Sequence, residues 1–325
     1  MKLRRRQFLH LAAGAAALPA VSRFACAQAY PSRSVHLIVP FGSAGATDIT
    51  ARLIGQWLSE RLGQQFVIEN RPGAGGNIAT EAVVRAAPDG YTLLYITTAN
   101  ASNATLYDKL NFNFVRDIAP IAPIVSFPYI MVVNPSVPAK TLPEFIAYAK
   151  ANPGKINMAS PGIGSTPHVN GELFKVMTGT NMVHVPYRSA AAVMTDLLSG
   201  QVQLYFGTTA SSLEYVRTGK LRALGVTIER RLDALPEIPT VAEFVPGYEA
   251  SNWYGVGAPK ATPAQIIDKL NKEISASLAD PNMKARFADL GGTVLAGSPA
   301  DFGKLIADET EKWAKVVKFA GIKAD

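Results

Sequence analysis

The stretch Val35-His36-Leu37-Ile38-Val39-Pro40-Phe41-Gly42-Ser43-Ala44-Gly45-Ala46-Thr47-Asp48 decides the fold. Val35 to Val39 is a short apolar run of the kind buried on both faces of a parallel sheet. From Thr47 to Leu62, the residues Ile49, Leu53, Trp57 and Leu58 recur at helical spacing, with Thr47 as the expected N-cap and Gly63 as the stop. Two further strands, Gln65–Glu69 and Tyr91–Thr98, flank a second helix, Ile78–Ala87. Strand, helix, strand, helix, strand with short connections predicts a parallel sheet with right-handed crossovers.

The pattern restarts at Tyr129. Strands are expected at Tyr129–Val133, Ile156–Ala159, Met182–Val185, Val202–Phe206 and Leu221–Val226. Helices are expected between them at Thr141–Ala151, Pro167–Met177, Ala190–Ser199 and Ser211–Arg217. After a strand at Trp253–Ala258 the chain is mostly helical: Ala264–Ala279, Pro281–Leu290 and Pro299–Phe319. These last helices have no sheet of their own, so they are expected to pack back on the first half. The expected class is therefore α/β with two lobes: residues 30–127 with 252–325, and residues 128–251. Two chain crossings between α/β lobes describe the hinged clamshell of periplasmic binding proteins, a Venus flytrap of type II-like form.

Three loops at strand ends are candidate ligand contacts, because open α/β sheets bind ligands beyond the carboxyl ends of their strands. Phe41, Gly42, Ser43, Ala44 and Gly45 lead into a helix whose first turn carries Asp48. Small residues at a helix start expose N–H groups to an anion, and the loop matches neither a Walker A nor a Rossmann glycine pattern. The loop Arg71-Pro72-Gly73-Ala74-Gly75-Gly76-Asn77 also opens a helix, with Asn77 its candidate contact. In Ser160-Pro161-Gly162-Ile163-Gly164-Ser165-Thr166-Pro167-His168, Ser165 and Thr166 offer hydroxyls at a helix start, and His168 is a further candidate. Tyr187 and Thr208 close two more strands at the same rim. Ser165 with His168 lacks a G-x-S-x-G elbow and an acid to orient the histidine, so Ser165 reads as a helix cap rather than a nucleophile. Trp253 is expected in the hinge core, and His36 as a core residue.

The chain has 325 residues, 48% hydrophobic and 18% charged, which is globular composition and long enough for two domains. One cysteine and four histidines offer no disulfide framework and little for a metal cluster, so neither metal nor cofactor is expected. Residues 1–29 hold Lys2, Arg4, Arg5, Arg6 and Arg23 and no acid; without them the net charge falls from +7 to +2. That balance, with no basic run after position 6, argues against nucleic acid. The same 29 residues read as a cleavable export signal. A basic start precedes a stretch from Phe8 to Ala20 too short and too weakly apolar to span a bilayer, then two A-x-A sites ending at Ala27 and Ala29. Arg5-Arg6-Gln7-Phe8-Leu9 resembles a twin-arginine signal, with a Sec signal as the alternative.

Several stretches carry a family resemblance: Pro40-Phe41 with Gly45-Ala46-Thr47-Asp48-Ile49, Glu69-Asn70-Arg71-Pro72-Gly73-Ala74-Gly75-Gly76-Asn77-Ile78, Pro88-Asp89-Gly90-Tyr91-Thr92-Leu93-Leu94, Ser160 to His168, and His184-Val185-Pro186-Tyr187. In this order they resemble the substrate-binding proteins of tripartite tricarboxylate transporters, the Bug (Bordetella uptake gene) family. The resemblance implies a monomeric periplasmic receptor, not an enzyme, that delivers a small carboxylate to a membrane permease of that transporter type. A dicarboxylate, an aromatic carboxylate or an amino acid would fit the class. It also implies that the first-loop backbone, with Ser165 and Thr166, holds a carboxylate. Where the family usually has Pro-Gly-Gly in the first loop, this sequence has Ser43-Ala44-Gly45. A periplasmic enzyme of α/β hydrolase type and a ligand-sensing module without a transport role are the alternative readings.

Replacing Arg5 and Arg6 together by lysine is expected to trap precursor inside the cell, as read by fractionation and immunoblot. Unchanged export that depends on the Sec machinery would overturn the twin-arginine reading.

Overall fold

The computed structural model describes residues 30–43, 45–107, 109–232 and 235–323. The expected export signal and Ala44 lie outside the described residues. No helix among the described residues is long and apolar enough to cross a membrane.

The first half runs β1 (Val35–Val39), α1 (Ala46–Leu62), β2 (Phe66–Asn70), α2 (Asn77–Val84), β3 (Thr92–Thr97), α3 (Thr98–Leu106) and α4 (Phe114–Asp117). It continues into β4 (Ile118–Val133). Next come α5 (Leu142–Ala151), β5 (Asn157–Ser160), α6 (Thr166–Thr178), β6 (Val183–Pro186), α7 (Ala190–Ser199), β7 (Leu204–Thr208), α8 (Thr209–Arg217) and β8 (Arg222–Val226). The chain ends with β9 (Ser251–Pro259), α9 (Ala264–Ala279), α10 (Pro281–Asp289), β10 (Thr293–Val294) and α11 (Pro299–Ala320).

The strands form two parallel sets. β1 pairs in parallel with β2 and β3, and β5 with β6 and β7. β4 and β9 join the sets by antiparallel pairing: β9 lies against β3, β4 lies against β9 from Ile118 to Pro128, and from Tyr129 onward β4 lies against β7 and β8. The sheet is thus mixed rather than all parallel. The register between β4 and β9 shifts at Pro120/Ala122 and Pro123/Val125. Proline donates no ladder hydrogen bond, and bulges of this kind are where a strand tolerates it.

Alternation along these strands fills both faces. Val35, Leu37 and Val39 face one apolar cluster with Ile54, Leu58 and Ile274, whereas Ile38 faces another with Ile96, Met131, Phe206 and Trp313. The second cluster runs through both strand sets. α11 explains this continuity: it lies over α3, β4 and also α6, so the C-terminal helix spans both sets rather than packing on the first half alone. Its buried Glu309 accepts hydrogen bonds from Trp253 Nε1 at 3.1 Å and Trp313 Nε1 at 2.8 Å, and is paired with Lys312. A buried carboxylate is tolerable only with such partners. Trp253 is fully buried; His36 is not the expected core residue but half exposed, paired with Glu69 across the β1–β2 edge.

Close approach dictates glycine at Gly255 in β9. A β-carbon there would lie 2.2 Å from Phe302 Cζ of α11 and 2.6 Å from the Ala122 carbonyl oxygen of β4. Gly255→Ala is expected to lower the unfolding free energy by about 1–3 kcal/mol in urea denaturation, the usual cost of overpacking. A variant as stable as the parent would contradict this three-way contact.

Candidate functional site

Five strand-to-helix junctions meet at one cavity of about 230 Å³. Phe41 and Thr47 come from the β1–α1 junction, and Thr97 and Ala99 from β3–α3. From the second set come Pro161, Ser165, Thr166 and Pro167 at β5–α6, Ala190 at the start of α7, and Thr208 at β7–α8. Tyr129, Tyr205, Asn252 and Tyr254, from β4, β7 and β9, complete the lining. A larger apolar groove of about 460 Å³ between α6 and α11 lies away from these strand ends.

The electrostatics follow from the junctions. No Lys, Arg, His, Asp or Glu is among the described lining residues. Burial raises the phenols of Tyr129, Tyr205 and Tyr254, so they remain neutral hydrogen-bonding groups. Each helix N-terminus contributes up to about half a positive charge. Three of the five are satisfied internally: Thr97 and Asn100 form a capping box on α3, Ser189 accepts from Ala192 N–H on α7, and Thr208 accepts from Ser211 N–H on α8. The other two, α1 behind Gly45 and α6 behind Ser165, have no side-chain cap. Uncapped N-termini on opposite strand sets leave backbone donors facing a neutral, polar hollow, which is a setting for an anion.

Tyr254 fixes this geometry. Its hydroxyl accepts from Thr47 Oγ1 at 3.1 Å and from Asn252 Nδ2 at 2.9 Å, tying the first turn of α1 to β9. Thr47 is therefore not the N-cap; that position is Gly45, and the Thr47 hydroxyl is spent on Tyr254. Gly45 has φ −83°, extended backbone open to any residue, with free space where a β-carbon would stand.

Of the sequence candidates, Phe41, Ser165, Thr166 and Thr208 line the cavity. Gly42, Ser43 and Gly45 are exposed and outside its lining, and Ala44 lies outside the described residues. The other four sit elsewhere. Asp48 is buried, accepting from Arg52 Nε and from Asn70 Nδ2, each at 3.0 Å; it braces the loop from behind. Asn77 is buried at the start of α2, where its Oδ1 accepts from Asn103 Nδ2. Tyr187 donates to Asp196 Oδ2 at 2.7 Å, and its phenol is pushed up to about 12 by burial and by that carboxylate. His168 is buried under the 160–166 loop, where Nδ1 accepts from Gly164 N–H at 3.0 Å. The Ser165 hydroxyl donates to the Gly162 carbonyl at 2.7 Å, so serine and histidine are engaged separately and do not form a nucleophile–base pair.

The sequence reading missed Tyr129, Tyr205, Asn252, Tyr254, Thr97, Ala99 and Ala190 as lining residues. The signal for several of them was position: Tyr129 and Asn252-Tyr254 sit near the end of the β4–β9 pairing, beside the places expected for the chain crossings, and Thr97 at a strand end.

Residues 50–322 match the model of the tripartite tricarboxylate transporter family receptor. The chain belongs to that family. Among this family's members, Protein BugT of Bordetella pertussis is 36% identical over 300 residues, covering 91% of this chain and 92% of BugT. An R. palustris protein solved with adipate superposes with a TM-score of 0.81 at 38% identity, covering 90% of this chain and 99% of that one. MatC from Rhodopseudomonas palustris, with bound malate, superposes with a TM-score of 0.78 at 31% identity, covering 89% and all of the two chains.

Proposed function

We propose that this receptor-family chain acts outside the cytoplasm, exported by residues 1–29, and captures a small carboxylated solute for a membrane permease of the tripartite type. The solute sits between lobe 1 (residues 30–127 and 252–325) and lobe 2 (residues 128–251). One carboxylate is held at the α1 N-terminus behind Phe41 to Gly45. The Thr166 hydroxyl and the α6 N-terminus receive the opposite end.

The observation that carries this reading is the pair of uncapped helix N-termini facing one uncharged cavity. Relatives solved with adipate and with malate point to the same solute class. A dicarboxylate of four to six carbons suits two donor ends. A hydrolase reading lacks a paired nucleophile and base, because Ser165 and His168 bond to different backbone groups.

Isothermal titration with adipate and malate tests the proposal. Binding is expected, with a native-state stabilisation of about 2.7 kcal/mol at a hundredfold excess over Kd. Thr166→Val is expected to weaken binding by roughly tenfold, the worth of one hydrogen bond to a charged group. Arg188 is exposed and outside the lining, so Arg188→Ala should change Kd by less than about threefold. Loss of binding in Arg188→Ala with full affinity in Thr166→Val would contradict capture by backbone and hydroxyl donors.

A further inference from the structure

Beneath the 160–166 loop, two imidazoles are stacked with ring centroids 3.6 Å apart and planes 10° from parallel. They hold the loop at two points. Ser160 Oγ gives its proton to the Gly162 carbonyl at 2.9 Å, so His184 Nε2, 2.7 Å away, is the donor to Ser160 Oγ. His168 Nδ1 accepts from Gly164 N–H at 3.0 Å. Gly164 is at φ +74°, and a β-carbon there would lie 2.1 Å from Leu106 of α3, so the residue is confined between the lobes. Directly after it come Ser165 and Thr166, both in the cavity wall.

We infer that His168 is a positioning residue: its neutral imidazole fixes the cavity wall at Ser165 and Thr166 through Gly164, and protonating it loosens that wall. The hydrogen-bond direction requires this. Protonated Nδ1 would present a donor to the Gly164 N–H donor, and the loop anchor would be lost. Among the described residues, Glu172 and Lys175 on its own helix and His184 on β6 are the titratable and charged groups that face His168. Glu172 Oε1 lies 3.7 Å from His168 Nε2, the nitrogen that carries the proton of the neutral ring, and Lys175 lies 2.8 Å from Glu172. Burial and then His168 push His184 down to about 4, which keeps it a neutral donor to Ser160.

The consequence for solute affinity rests on the proposed carboxylate site; the anchor itself does not. Two measurements separate them. In the solute-free protein, the Gly164 amide resonance is expected to move together with the His168 ring signals as pH is lowered. An amide indifferent to that titration overturns the inference. With adipate as probe, His168→Leu should bind about tenfold more weakly at pH 7.5. His168→Asn places Oδ1 where Nδ1 stood and should restore most of that loss. The parent should lose affinity on acidification about fivefold more than His168→Asn, because adipate's own protonation affects both equally. Parallel pH profiles for the parent and His168→Asn would overturn the inference. Absence of adipate binding at pH 7.5 would count against the proposed function alone, with the Gly164 titration still deciding the positioning role.

Discussion

Every parallel strand that reaches the cavity is followed by a helix that starts there, and this handover governs the rest of the structure. β1, β3, β5, β6 and β7 end at one hollow, and α1, α3, α6, α7 and α8 begin there. Backbone polarity alone therefore gives the site its sign. The cavity needs no cation to favour an anion, and its phenols and hydroxyls stay neutral. A fixed cation in so small a space would have to be desolvated when empty; backbone dipoles avoid that cost.

The convergence depends on how the two parallel sets are held. β4 is one sixteen-residue strand that pairs with β9 along its first part and with β7 and β8 along its last. α11 lies over α3 and α6 together, and its Glu309 is shared by indoles from β9 and from α11 itself. The Tyr254 hydroxyl then ties this central strand pair to the first turn of α1. Contacts among β4, β9 and α11, together with the Tyr254 hydroxyl, thus set where the helix ends point.

Much of this was legible in the sequence. α7 and α9 fall where periodicity places them, and Gly63 ends α1 as expected. The misses have physical causes. Pro120, Pro123 and Pro128 hide the first part of β4, because proline argues against a strand until bulges accommodate it. α3 carries no apolar stripe: its Thr98, Asn100, Ser102 and Asn103 are buried and satisfied by polar partners such as Thr80, Asn77 and Gly75. Strand-end loops were readable as candidate ligand loops, but the division of labour within them was not. Asp48 and His168 look like ligand groups in sequence, yet each is turned inward to hold its loop. Tyr129, Tyr205 and Tyr254 gather only through the pairing of β4, β7 and β9, a tertiary fact without a local signature.

The most direct measurement is a crystal structure of residues 30–325 with adipate. A carboxylate oxygen within about 3.2 Å of a backbone N–H in the first turn of α1 or α6 is the predicted result. Adipate held by the Arg188 guanidinium, or lodged outside this cavity, would contradict the account.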